Sequence, residues 1–60
     1  MIFRRAEMLR RGDAVRPFDE RLWEVKHVRV YAQEVEVTLV RAVEGEKTVT
    51  LRRGDMVLLA

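Results

Sequence analysis

Alternating apolar and polar residues dominate the second half of the chain. Over residues 34–40, valine and leucine alternate with glutamate and threonine, and the alternation resumes over residues 47–51, beyond a turn at Gly45. A period of two is typical of strands that bury one face and expose the other to water. The pattern therefore predicts two antiparallel strands joined as a hairpin.

The segment at residues 21–31 has the strongest strand signal, because it is rich in aromatic and β-branched residues. Its alternation slips by one position between Val25 and Val28, at Lys26 and His27. One extra residue on this strand would restore the inward facing of the later valines, and a β-bulge provides that residue. We therefore expect a long strand that bends at Lys26 and His27.

Shorter elements flank these three strands. Residues 13–18 predict a strand, with Pro17 at an edge or at the strand's exit because proline cannot donate a ladder hydrogen bond. A turn at residues 19–20 would follow, and residues 57–59 predict the last strand. Before them, residues 4–11 predict two helical turns or an irregular lead-in.

One motif occurs twice, at residues 9–15 and residues 51–57, with six of seven positions identical. Each copy has a leucine, two arginines, glycine, aspartate and, one residue later, valine. Glycine supplies a positive φ in tight turns, and an aspartate side chain bonds nearby backbone amides. Both copies therefore predict a turn that leads into a strand.

Five short strands in 60 residues are too few for a two-sheet sandwich, but they can curl into a small barrel around one centre. We predict an all-β fold for residues 1–60, a single domain made of a five-stranded antiparallel barrel behind the short helical or irregular lead-in. Trp23, the largest inward residue, would fill the centre. The predicted core is Leu9, Val15, Trp23, Val25, Val28, Val35, Val37, Leu39, Val49, Leu51, Val57 and Leu59.

This order of elements resembles the small SH3-like β-barrels. The resemblance rests on Leu9, Gly12, Asp13, Val15, Trp23, Val25, Val28, the alternation over residues 35–39 and Gly45. It covers nearly the whole chain, although its motifs are general packing signals. Such barrels include nucleic-acid binders and peptide-binding modules, so the resemblance implies a fold more than a function.

The residue types argue against catalysis. The chain has no cysteine and no serine, and its single histidine, His27, has no sequence neighbours that would form a triad or a ligand set. We therefore predict that the protein is not an enzyme and uses no metal or cofactor. No long apolar run follows the N-terminus, so we expect a cytoplasmic protein with no membrane association.

The charges are unevenly distributed, although the net charge is only +2. Residues 1–16 carry five arginines against two acids, and ten of the twelve basic residues are arginine, which favours bidentate contacts to phosphate. GC-rich coding would produce the same bias, and nearby acids could neutralise the arginines. The candidate nucleic-acid-binding residues are Arg4, Arg5, Arg10, Arg11, Arg52 and Arg53.

The sequence thus favours a binding module with a basic face that contacts nucleic acid through its phosphates. This interpretation requires the two glycine turns to lie side by side, so that their arginines converge. The alternative is a protein-interaction or assembly module, with a homo-oligomer as one form of it, that uses a sheet edge and its exposed apolar residues.

Overall fold

A computed structural model describes residues 1–17 and 21–60 of the chain. The prediction of an all-β fold is confirmed, because strands account for most of these residues. The predicted turn at residues 19–20, and Phe18 at the end of the first predicted strand, lie outside the described residues. The elements are β1 (Ile2–Arg5), a 3-10 turn (Ala6–Met8), β2 (Ala14–Arg16), β3 (Trp23–Val30), β4 (Glu34–Arg41), β5 (Gly45–Arg52) and β6 (Met56–Leu59).

The six strands form one antiparallel sheet in the order β1-β6-β2-β3-β4-β5. The predicted five-stranded closed barrel is wrong in two respects. The described residues contain a sixth strand, β1, and the two edge strands, β1 and β5, do not pair with each other. The sheet is therefore open, and neither edge has a strand partner on its outer side within the described residues.

The open sheet must nevertheless curl. In a flat sheet β5 and β6 would lie four strand spacings apart, roughly 19 Å at about 4.8 Å per spacing. Only residues 53–55 join these two strands. The four Cα steps from Arg52 to Met56 span at most about 14 Å. The sheet therefore bends round toward β6, and its concave face encloses the core.

The core confirms the predicted set of inward residues. Eight of the twelve predicted residues are buried, Trp23 among them at 5% exposure, and the other four pack partly buried against this cluster. Ala6, with no exposed surface, is a ninth buried residue that the predicted core did not include. Ala6 and Leu9 join the core from the segment that links β1 to β2.

The long strand β3 bends where the pattern slipped. Its register with β4 shifts between Val25 and His27, which confirms the predicted bulge. Past the bulge, Val28 lies opposite Val37 and faces the core again. Val30, two residues further on, also lies opposite a buried valine of β4 but is itself 48% exposed, so only Val28 of the two returns to the core.

The N-terminal segment differs from the prediction. Residues 2–5 form β1, paired with β6 from Ile2 opposite Leu59 to Arg5 opposite Met56. The predicted helical lead-in is limited to the single 3-10 turn Ala6–Met8. Pro17 directly follows β2, in agreement with the predicted strand exit.

Candidate functional site

The two glycine turns, residues 10–13 (the first turn) and residues 52–55 (the second turn), have the same geometry. Gly12 and Gly54 have φ of 92° and 91°. In each turn the aspartate amide donates to the carbonyl of the arginine three residues earlier, at 3.0 Å for Asp13 and 3.1 Å for Asp55. Each aspartate carboxylate also accepts from that arginine's amide, at 2.8 Å and 2.9 Å respectively. The predicted turn chemistry is confirmed.

The two turns do not lie side by side. The first turn leads into β2 and the second into β6, and these strands are neighbours, as the sequence interpretation required. They run antiparallel, however, with Val15 opposite Leu59, so their starts lie at opposite ends of the pair. The four-residue length of β6, about 13 Å at roughly 3.3 Å per residue, separates them. The six candidate arginines therefore do not form one cluster.

The acids near the turns contact different groups. Asp13 forms an ion pair with Arg4, with Nη1 and Oδ2 2.8 Å apart, and thereby neutralises one of the candidate arginines. At the second turn, Oε1 of Glu7 accepts a hydrogen bond from the Gly54 amide at 2.8 Å. This backbone bond, with its own amide and the nearby Arg5 and Arg53, lowers the pKa of Glu7 below its ordinary value. Glu7 therefore stays ionised and fixes the second turn against the 3-10 turn.

The two turn aspartates should contribute unequally to stability. Asp55→Ala removes one hydrogen bond from the side chain to the turn, a loss of about 1 kcal/mol. Asp13→Ala removes the equivalent bond and also the ion pair with Arg4, so we expect a loss of about 2 kcal/mol. Urea unfolding followed by circular dichroism would measure both values. Equal losses would mean that the Arg4 contact adds nothing to stability.

Five of the six candidate arginines are exposed, and no ion pair among the described residues uses them. Arg5, Arg52 and Arg53 lie around the second turn, where Ala6 of the adjoining segment donates to the Asp55 carbonyl at 2.8 Å. We call these three the second-turn cluster. Arg10 and Arg11 lie on the first turn.

The second-turn cluster borders a surface depression that the sequence did not indicate. The depression is lined by Gln33, Glu34, Arg52 and Arg53. The amide of Arg53 donates to the Gln33 carbonyl at 3.0 Å, so the turn between β3 and β4 lies against the second turn. The contact joins residues about twenty positions apart in sequence, so no local motif could have signalled it.

Two cations lie over the ring of the buried Trp23. Nζ of Lys47 lies 4.5 Å from the centroid of the Trp23 ring, and Cζ of Arg41 lies 5.5 Å from it. Arg41 also pairs with Glu44, with Nη1 and Oε1 2.9 Å apart. Cation–π contacts of this kind stabilise a buried indole, so these two cations belong to the fold more than to a binding surface.

His27 lies exposed at the bulge of β3, opposite Thr38 of β4. Its cross-strand neighbour thus has no carboxylate that could orient the imidazole for catalysis. In residues 1–17 and 21–60, no three histidine, aspartate or glutamate side chains come together as a possible metal site.

Comparison of the chain with protein-family models, curated proteins and solved structures finds no match. The resemblance to SH3-like barrels therefore stays a prediction. Among the described residues, no helix has the length and apolar character needed to cross a membrane.

Proposed function

We propose that this protein is a non-enzymatic binding module that holds nucleic acid by its phosphate backbone, through the second-turn cluster of Arg5, Arg52 and Arg53. The proposal rests on the observation that the acidic side chains at the second turn bind backbone amides and not the neighbouring arginines. Asp55 and Glu7 direct carboxylate oxygens at backbone amides of the turn.

No ion pair among the described residues uses the three guanidinium groups of this cluster, which stay exposed. Glu34 lies opposite Arg52 in the sheet, and Nη1 of Arg53 donates to the Ala32 carbonyl at 3.4 Å. Exposed guanidinium groups make short, charge-assisted contacts to phosphate oxygens.

The lining of the site supports backbone contacts over base recognition. Among the described residues, the depression beside Arg52 and Arg53 is lined by polar and charged side chains, with no aromatic side chain on which a base could stack. Arg10 and Arg11, at the far end of β6, are positioned to contact a second stretch of backbone. Binding of this kind is electrostatic, so its sequence preference should be low.

The salt dependence of binding tests the proposal. We expect affinity for mixed-sequence DNA and RNA to fall steeply as salt rises, because each phosphate contact releases counterions. In the variant R5Q/R52Q/R53Q, the negative slope of log Kobs against log salt should become less steep, by about 0.9 for each contacting arginine on duplex DNA. Fluorescence anisotropy of labelled oligonucleotides at several salt concentrations would measure the slopes.

A matched control is the variant R16Q/R21Q/R29Q, which loses the same charge from exposed positions outside both turns. It should keep a slope close to that of the unmodified chain. If both triple variants change the slope equally, only net charge matters and the second-turn cluster is not the site. If the unmodified chain fails to bind either nucleic acid at about 50 mM salt, the proposed function is wrong.

We propose protein interaction or assembly as the second candidate function, because β5 is a long edge strand. All eight of its residues pair with β4 in unbroken register, and its other side has no strand partner in the described part of the chain. An edge of this length can accept a further strand through its backbone groups. Several exposed apolar residues add to the surface open to a partner, namely Met1, Ile2, Phe3, Met8, Leu22, Val30, Tyr31, Val43 and Met56.

A further inference from the structure

The β5 edge lacks the features that usually prevent strands from pairing. It has no proline, and its register with β4 contains no bulge. Its one lysine, Lys47, lies opposite the buried Leu39 and extends over the Trp23 ring on the concave face. A lysine held there does not block the approach of another strand. In residues 1–17 and 21–60, no strand pairs with the outer side of this edge.

We propose that two copies of this chain pair through β5, antiparallel, around a two-fold axis at Val49. This inference rests on the second proposed function and names its partner as a second copy. An antiparallel pair of identical strands is self-complementary, so one edge satisfies both copies. The two sheets would join into one continuous sheet across the axis.

In an antiparallel pair, two directly opposite residues either both point their N–H and C=O groups toward the partner strand or both point them away, and the two cases alternate along each strand. In a pair of identical strands, opposite residues must therefore be an even number of positions apart in sequence. The two-fold axis then passes through a residue position and not between two positions.

The charges on β5 select the register with its axis at Val49. An axis at Val49 places Glu46 of each copy opposite Arg52 of the other. Both residues lie on the exposed convex face, where directly opposite charges stabilise strand pairing. Within one copy Glu46 pairs with Lys26 and Arg52 lies opposite Glu34. The dimer would therefore add two Glu46–Arg52 pairs to charges that already have opposite neighbours.

The neighbouring registers lose this complementarity. An axis at Thr50 would place Lys47 opposite Arg53 and Glu46 opposite Gly54. Glu46 would then face no basic residue of the other copy and would keep only its pair with Lys26. An axis at Thr48 would place Glu46 opposite Thr50, and Arg52 opposite Glu44. Glu44 precedes β5, so that pair would lie beyond the end of the paired strand.

The concave face favours the same register. An axis at Val49 brings the two Val49 side chains together and sets Leu51 of each copy beside the aliphatic part of Lys47 of the other. Val49 and Leu51 are only partly buried in the single chain. Pairing would therefore remove further apolar surface from water.

Charge reversal on the full chain tests the inference. Glu46→Arg alone places arginine opposite arginine twice, and Arg52→Glu alone places glutamate opposite glutamate twice. Each single variant should dimerise about tenfold more weakly than the unmodified chain. A one-to-one mixture of the two variants should dimerise again, because both cross-pairs then join opposite charges. Sedimentation equilibrium over a range of concentrations would measure all four samples.

Glu24→Arg, a charge reversal at an exposed position on β3, is the matched control and should dimerise like the unmodified chain. Circular dichroism would confirm that each variant is folded. A dimer that both single variants retain would overturn the β5 register but leave assembly through another surface possible. An unmodified chain that is monomeric at every concentration would overturn self-pairing, while binding of a different protein to the edge would remain a separate test.

Discussion

Trp23→Ala should leave the chain largely unfolded at 25 °C. The side chain is 5% exposed and lies in the core cluster. Truncating a buried aromatic residue costs about 3–5 kcal/mol, and a domain of this size rarely has more than about 3–5 kcal/mol of stability from its core. The contacts of Lys47 and Arg41 with the ring would be lost at the same time. Far-UV circular dichroism during a urea titration would measure the effect.

Tyr31→Ala provides the comparison, since Tyr31 is an aromatic residue at 51% exposure. It should cost less than about 1 kcal/mol and keep a cooperative unfolding transition. Trp23→Phe should fall between the two, because it keeps an aromatic ring in the core but leaves a smaller cavity. A Trp23→Ala variant with an unfolding midpoint close to that of the unmodified chain would show that the indole does not hold the sheet together.

The strands with clear patterns could be predicted from sequence because their signals are local. The alternation of apolar and polar residues in β4 and β5 indicates which face of these strands is buried. The one-residue shift of that alternation in β3 indicates the bulge at Lys26 and His27. The turn chemistry was equally local. Each turn is defined by its glycine and by an aspartate whose carboxylate accepts a hydrogen bond from the backbone amide three residues earlier. These features need no knowledge of distant residues.

The parts that were wrong depend on distant pairing. Residues 2–5 do not alternate between apolar and polar, and β1 exists because β6 pairs with it from the other end of the chain. The curled sheet would close into a barrel only if its edge strands, β1 and β5, paired with each other. The residues of neither strand indicate whether they pair. The separation of the two glycine turns follows from the antiparallel direction of β2 and β6. That strand order cannot be read from the motif itself.

The two proposals share one residue. Arg52 belongs to the second-turn cluster, and it is also the residue that would face Glu46 of a second copy. In a β5 dimer the charge of Arg52 would be partly neutralised by Glu46 of the other copy. Arg5 and Arg53 would then contribute more of the phosphate binding. Nucleic-acid binding and self-pairing would then be coupled through a single side chain, with each weakening the other.

Ala6→Glu should be nearly as damaging as loss of Trp23, although Ala6 is small and lies in a 3-10 turn of three residues. Ala6 has no exposed surface, and its amide donates to the Asp55 carbonyl at 2.8 Å, so the position cannot easily move outward. An unpaired charge in the core costs about 3–5 kcal/mol.

Two further variants separate the causes of that loss. Ala6→Gln has nearly the size of glutamate without its charge, so the difference between the two in urea unfolding measures the cost of the buried charge alone. Ala32→Glu places the same charge at an exposed alanine and should change stability by less than about 0.5 kcal/mol. If Ala6→Glu were as mild as Ala32→Glu, the linking segment would not cover the core. The concave face would then be accessible from the β1 side, where the sheet is open.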